Sequence, residues 1–281
     1  MQSIQEALRE QGYIADRSTA VTLRLVMELE KPLLIEGPAG VGKTELAKVL
    51  AAVLHTKLIR LQCYEGLDTS TALYEWNYPK QMLHIRLSED TAGSVQQKER
   101  DIFGEEFLLR RPLLDALMEE EQSPVLLIDE IDRADEAFEA FLLEVLGEFQ
   151  VTIPEFGTVR ARKKPYVILT SNRTRELSDA LRRRCLYEWI DYPDVQKETD
   201  ILRAKLPGIQ QRLAERIART VQELRGMPLN KIPGVAESLD WAQALSVIEE
   251  TPARETLGCV IKDRDDWKLI EEKVDLLREF E

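Results

Sequence analysis

Histidine, cysteine, positive charge and long apolar runs are all scarce in this chain of 281 residues, and each scarcity closes off a class of function. Only two histidines occur, His55 and His84, so a histidine-based metal centre is not expected. The three cysteines, Cys63, Cys185 and Cys259, lie far apart. They suit neither a zinc site nor a disulfide framework and read as reduced thiols of a cytoplasmic protein. No apolar run approaches the ~20 residues that cross a bilayer. The opening Met1-Gln-Ser-Ile-Gln-Glu6 lacks the basic and apolar regions of a secretory signal. Lys and Arg number 38 against 51 Asp and Glu, a net charge of −13, which argues against a general nucleic-acid binder. There is no internal repeat and no low-complexity tract.

What is present is a hydrophobic content of 44%, ordinary for a globular chain of one large domain or two smaller ones. The spacing predicts helices over 3–10 and 16–30, with Ser3 and Asp16 as N-caps. Strands are expected at 33–36, 58–63, 125–129, 166–170 and 186–190. The continuous apolar run Val125-Leu-Leu-Ile128 suits a strand buried on both faces. Helical patterns over 107–121 and 134–148 separate the strands, which gives an α/β domain with a mainly parallel sheet. Val151 to Val159, β-rich on either side of Pro154-Glu-Phe-Gly157, reads as an inserted β-hairpin. From Val195 onward the patterns are helical and punctuated by proline. The expected division is therefore an α/β domain over 1–193 and a small all-helical domain over 194–281.

The sharpest signal is Gly37-Pro38-Ala39-Gly40-Val41-Gly42-Lys43-Thr44, which fits the phosphate-binding pattern at every fixed position. Leu33-Leu-Ile35 leads in as a strand and a helical run from Glu45 follows, the context this motif requires. Glycines let successive N–H groups face one anion, and the helix start adds its positive dipole end. Lys43 is the candidate for the β- and γ-phosphates of ATP and Thr44 for Mg²⁺, with Glu45 closing the binding set. Asp129 and Glu130 end the buried strand. Asp129 is expected in the Mg²⁺ shell and Glu130 as the base that prepares the attacking water. The bland alternative makes Asp129 the cap of the helix near Ala134. Lys43 and Asp129 lie 86 residues apart, room for an additional strand between the two motif strands. Asn172, at the tip of the next strand, is a candidate to hold the lytic water, or simply a turn former. Arg182-Arg183-Arg184 is either a solvated charge run or the source of a guanidinium offered to a neighbouring subunit's site.

These residues resemble the AAA+ ATPases, and most closely the MoxR group in its CoxD-like branch. The likeness rests on Glu36 to Thr44, Leu127 to Asp135, Phe149 to Pro154, Leu169 to Leu177, Asp179 to Leu186 and Leu239 to Ala242. It implies a P-loop αβα sandwich with a parallel sheet, a β-hairpin insert and a helical C-terminal lid. It also implies a homo-oligomeric ring, usually hexameric, with ATP hydrolysed at subunit interfaces. Asn172 matches the first sensor position and Arg184 the arginine finger, with Arg183 as the alternative. Residues 64–87 match an insert whose Tyr74, Trp76 and Tyr78 either touch a protein substrate or pack the insert on its own domain. Ala236 stands near the position where many relatives carry a second sensor arginine, and Arg254 is a possible substitute. The implied work is chaperone-like maturation of a partner enzyme, often with a von Willebrand A-domain partner. A nucleic-acid motor or loader, or a non-hydrolysing nucleotide-dependent scaffold, are the rival readings.

Overall fold

The computed structural model describes residues 4–87, 102–247 and 253–271. Ser3 and the side chain of Arg254 lie outside the described residues. In chain order, α1 (Ile4–Glu10) and α2 (Arg17–Leu29) precede β1 (Leu33–Glu36), α3 (Lys43–Val53) and β2 (Leu58–Gln62). Then come α4 (Thr69–Ala72), β3 (Tyr74–Trp76), α5 (Tyr78–Leu87), β4 (Leu108–Arg110), α6 (Pro112–Leu117) and β5 (Val125–Asp129). They are followed by α7 (Glu136–Glu148), β6 (Gln150–Ile153), β7 (Gly157–Arg160), β8 (Tyr166–Ser171), α8 (Asp179–Arg184) and β9 (Leu186–Trp189). The remainder is helical: α9 (Val195–Lys205), α10 (Gln211–Arg225), α11 (Val235–Val247) and α12 (Arg264–Glu271). No helix among the described residues is long and apolar enough to cross a membrane.

The chain divides into two compact units, one of Thr22–Ile35 and Leu50–Glu188, the other of Met1–Val21, Glu36–Val49 and Trp189–Glu281. The first holds a five-stranded parallel sheet in the order β2-β5-β8-β1-β9. One face of that sheet, with Leu34, Ile59, Leu61, Leu126, Ile128, Val167 and Leu169, packs on Leu113 and Leu117 of α6 and on Phe138, Leu142 and Val145 of α7. Every residue of β5 is buried, as the apolar run predicts for a central parallel strand. Pairing of Ile128 with Leu169 and of Gln62 with Asp129 sets the register.

The expected hairpin forms from β6 and β7, with Ile153 opposite Gly157 and Glu155 in the left-handed region at φ 65°. The helix expected over 107–121 does not. Only Pro112–Leu117 is helical, and Leu108–Arg110 pairs as a strand against Tyr74–Trp76. Proline is the cause: it excludes the helical region for the residue before it, and Arg111 is extended at φ −95° and ψ 171°. Trp76 is buried against Phe103 and Tyr74, whereas Tyr78 is exposed.

In the second unit α9 to α12 close on Leu202, Ile217, Val221, Leu224, Trp241 and Leu257. Asp194 caps α9 by accepting from the Lys197 N–H at 2.8 Å, and the Trp241 indole donates to Thr256 Oγ1 at 2.8 Å. The glycine-rich loop belongs to this unit, with the C-terminal helices.

Candidate active site

The loop of the second unit is shaped by backbone needs that only glycine meets. Gly40 has φ +77° and Gly42 +92°. At Gly37 a Cβ would lie 2.0 Å from the Ile190 carbonyl oxygen. α3 starts at Lys43, so its first N–H groups and positive dipole end face the loop. Lys43 is buried, 7% exposed, and its ammonium donates to the carbonyls of Gly37 at 2.7 Å and Pro38 at 2.6 Å. Carbonyl oxygens are weaker partners than phosphate oxygens for an ammonium, so a polyphosphate exchanging for them fits this cradle.

The Glu45 carboxylate meets Lys205 at 2.6 Å and Lys48 at 3.6 Å. Burial pushes its pKa up, but the two ammonium groups outweigh that and hold the carboxyl below its ordinary value.

Helix α11 meets the loop through main chain. Val235 N–H donates to the Gly40 carbonyl at 2.9 Å, and Gly234 lies so close that a Cβ there would be 2.7 Å from the Gly40 Cα. Glu237 reaches back to accept from the Gly234 N–H at 2.9 Å, the return arm of a capping box. A buried ion pair fixes the height of this helix start. Arg225 forks onto Glu198 at 2.6 and 2.8 Å and donates from Nε to the Pro233 carbonyl at 2.9 Å.

In the sheet unit, parallel register lines up Gln62, Asp129 and Thr170 at the carboxyl ends of β2, β5 and β8. That edge is where open α/β sheets bind ligands. Asp129 is 2% exposed and both its oxygens are engaged. Thr170 Oγ1 donates to Oδ1 at 2.5 Å, while Arg60 donates to Oδ2 from Nη2 at 2.6 Å and from Nε at 3.1 Å. The capping alternative for Asp129 fails, because Asp135 caps α7 by accepting from the Phe138 N–H at 2.8 Å. Glu130 turns the chain immediately, in the left-handed region at φ 56° and ψ 50°, a conformation that costs a non-glycine residue about 1 kcal/mol. Its N–H donates to Thr170 Oγ1 at 2.9 Å, and its carboxylate accepts from Gln62 Nε2 at 3.1 Å. This left-handed turn ends β5 at Asp129 and leaves Glu130 at the sheet edge.

Asn172 follows β8 directly. The loop beyond it is pinned by Thr174, which donates to Asp132 Oδ2 from N at 2.9 Å and from Oγ1 at 2.7 Å. Of the three arginines, Arg184 donates to the Leu143 carbonyl of α7, Arg182 lies 6.0 Å over the Tyr187 ring, and Arg183 is exposed. Among the described residues Arg183 has no polar partner.

In the sheet unit the Asp129 carboxylate is an oxygen donor of the kind a hard divalent cation takes, and so, in the other unit, is the Thr44 hydroxyl. Asp129 already carries a cationic group, the Arg60 guanidinium, which shows that this carboxylate accepts positive charge. Among the described residues no cluster of three or more His, Cys, Asp or Glu side chains could hold a metal. Arg60, Gln62, Thr170 and Gly234 were not singled out from sequence. For Arg60 and Gln62 the available signal was two polar residues at period two in an otherwise buried strand.

An uncharacterized protein of Staphylococcus haemolyticus is 22% identical over 286 residues, covering 96% of this chain and 99% of that protein. One from Staphylococcus aureus is 25% identical over 215 residues, 73% of this chain and 72% of that protein. Among solved structures, two mutants of Thermotoga maritima RuvB share the fold at 20% identity, with TM-scores of 0.56 and 0.54. They cover 96% and 95% of this chain and 80% and 75% of their own. Residues 32–185, more than half of the chain, match the AAA domain family in its dynein-related subfamily. The glycine loop, the Asp-Glu strand end and strands β1, β2, β5 and β8 of the sheet lie within those residues, and the chain belongs to this family, among the AAA+ ATPases.

Proposed function

We propose that this protein is a Mg²⁺-dependent ATPase of MoxR type that hydrolyses ATP between the subunits of a homo-oligomeric ring, six in number, and uses the motion to mature or activate a partner enzyme. The observation that carries the reading is the polar row Gln62-Asp129-Thr170, with Glu130 beside it, in a sheet whose β1 runs into the glycine loop.

In this reading the loop N–H groups and Lys43 hold the triphosphate. Thr44 and Asp129 would hold the cation, which would neutralise the charge that develops on the phosphate oxygens. Glu130 accepts a proton from a water whose oxygen attacks the γ-phosphorus, and Asn172 orients that water. The bond from the γ-phosphorus to the bridging oxygen breaks, giving ADP and phosphate. Arg184 of one subunit meets the charge developing in its neighbour's site, with Arg183 the second candidate. A protein client and a von Willebrand A-domain partner complete the assembly.

Phosphate release in Mg²⁺-ATP tests the enzymatic core. Turnover is expected to rise with protein concentration as subunits assemble, and to vanish in Lys43→Ala. An inactive wild-type assembly that still binds ATP would point to a nucleotide-dependent scaffold, and salt-sensitive stimulation by DNA would point to a nucleic-acid motor.

A further inference from the structure

Arg60 has no place in the hydrolysis scheme, yet it pairs with Asp129 at 2.6 Å. It stands on β2, two residues before Gln62 and on the same face of the sheet. Its side chain is 49% exposed, while the Asp129 side chain is 3% exposed, so the carboxylate is fixed and the guanidinium reaches in from solvent. Two N–H groups converge on the one oxygen, Oδ2, that Thr170 leaves open. The same Nη2 donates to Gln62 Oε1 at 2.5 Å, and Gln62 in turn holds Glu130 at 3.1 Å. A buried carboxylate without a compensating charge is costly, and Arg60 supplies that charge here.

We propose that Arg60 is the resident counter-ion of Asp129, which a divalent cation must displace, so that metal loading at Asp129 and release of the Arg60-Gln62-Glu130 chain are a single exchange. The inference rests on the proposed nucleotide site and deepens it. Arg60 is thus a positioning residue that acts through Asp129. Its long, exposed stem lets it swing into water when displaced, whereas the buried carboxylate stays where Thr170 holds it. The exchange also explains why Gln62 is shared. While Arg60 grips Asp129, Gln62 is polarised toward Glu130 and keeps that carboxylate occupied before the cation has arrived.

The test is the affinity of Mn²⁺ for the full-length protein saturated with a non-hydrolysable ATP analogue, read from the free Mn²⁺ electron paramagnetic resonance signal. Arg60→Met, which keeps the stem and removes the charge, is expected to bind Mn²⁺ roughly fivefold more tightly than wild type, the scale of a half-exposed ion pair. Arg60→Lys, which keeps a cation but not the fork, is expected to fall between them. If Arg60 instead only orients Asp129, Arg60→Met binds Mn²⁺ more weakly; that result, or no change, overturns the proposal. Asp129→Asn separates this failure from failure of the site. If it keeps wild-type Mn²⁺ affinity, Asp129 is no ligand and the site reading falls, taking the exchange with it. If it loses Mn²⁺ while Arg60→Met shows no gain, the exchange alone is wrong.

Discussion

Replacing Gly234 with alanine is expected to weaken nucleotide binding without unfolding the protein. Gly234 has no positive φ, so alanine carries no backbone strain there and the effect is steric. Its Cβ falls 2.7 Å from the Gly40 Cα, 3.0 Å from the Gly40 carbonyl carbon and 3.0 Å from Glu237 Oε2. The carboxylate can swing aside; the Gly40 main chain cannot. Restoring an ordinary carbon contact of ~3.5–4.0 Å requires the two backbones to part by about 1 Å. The Val235 N–H to Gly40 carbonyl bond, now 2.9 Å, would stretch beyond hydrogen-bonding range. Overpacking of this kind costs about 1–3 kcal/mol, including about 1 kcal/mol for the bond. Expressed on the loop, that is a loss of affinity of roughly 5- to 150-fold. Titration with a fluorescent ATP analogue measures it, and the melting temperature reports on folding. Gly258→Ala, where a Cβ meets nothing within 4 Å, is the control and should bind as wild type. A Gly234→Ala protein that binds nucleotide within twofold of wild type would show that α11 does not set the loop's conformation.

Other outcomes follow from the same geometry. Lys43→Ala should abolish nucleotide binding in the same titration. Arg184→Ala should leave affinity largely intact and cut phosphate release by about 10³-fold or more in assembled protein, as removing an arginine finger does. If Arg183→Ala shows that loss instead, the exposed Arg183 is the trans-acting group. Arg225→Ala strands the buried Glu198 carboxylate and should cost about 3–5 kcal/mol of stability in urea unfolding. Lys205 holds the Glu45 carboxyl below its ordinary value of 4.5, so the pair's contribution is present above pH 4.5 and is lost as the pH falls through the lowered folded value. The stability gap between wild type and Lys205→Met should therefore be full at neutral pH and close on acidification.

The local parts of this site are legible in the residues. Strand, glycine turn and helix around Lys43 are contiguous, and the run into Asp129 announces a buried strand by composition alone. The row joining Gln62, Asp129 and Thr170 is not legible. Parallel pairing unites segments separated by whole crossovers, and nothing in Leu58 to Gln62 states which residue of β5 each will face. The helix expected over 107–121 failed because apolar spacing was given more weight than Pro112, whose ring dictates where a helix can begin. The need for glycine at 234 is not legible either, since it comes from Gly40, a contact that only the tertiary fold creates.

The most direct test is a structure of the Glu130→Gln protein with ATP and Mg²⁺. The account predicts intact triphosphate in the glycine loop, its γ-phosphate against the Lys43 ammonium, the cation at Asp129, and the side chain at position 130 facing the γ-phosphorus across a water. Nucleotide bound away from Lys43, or a γ-phosphate remote from Asp129 and position 130, would contradict it.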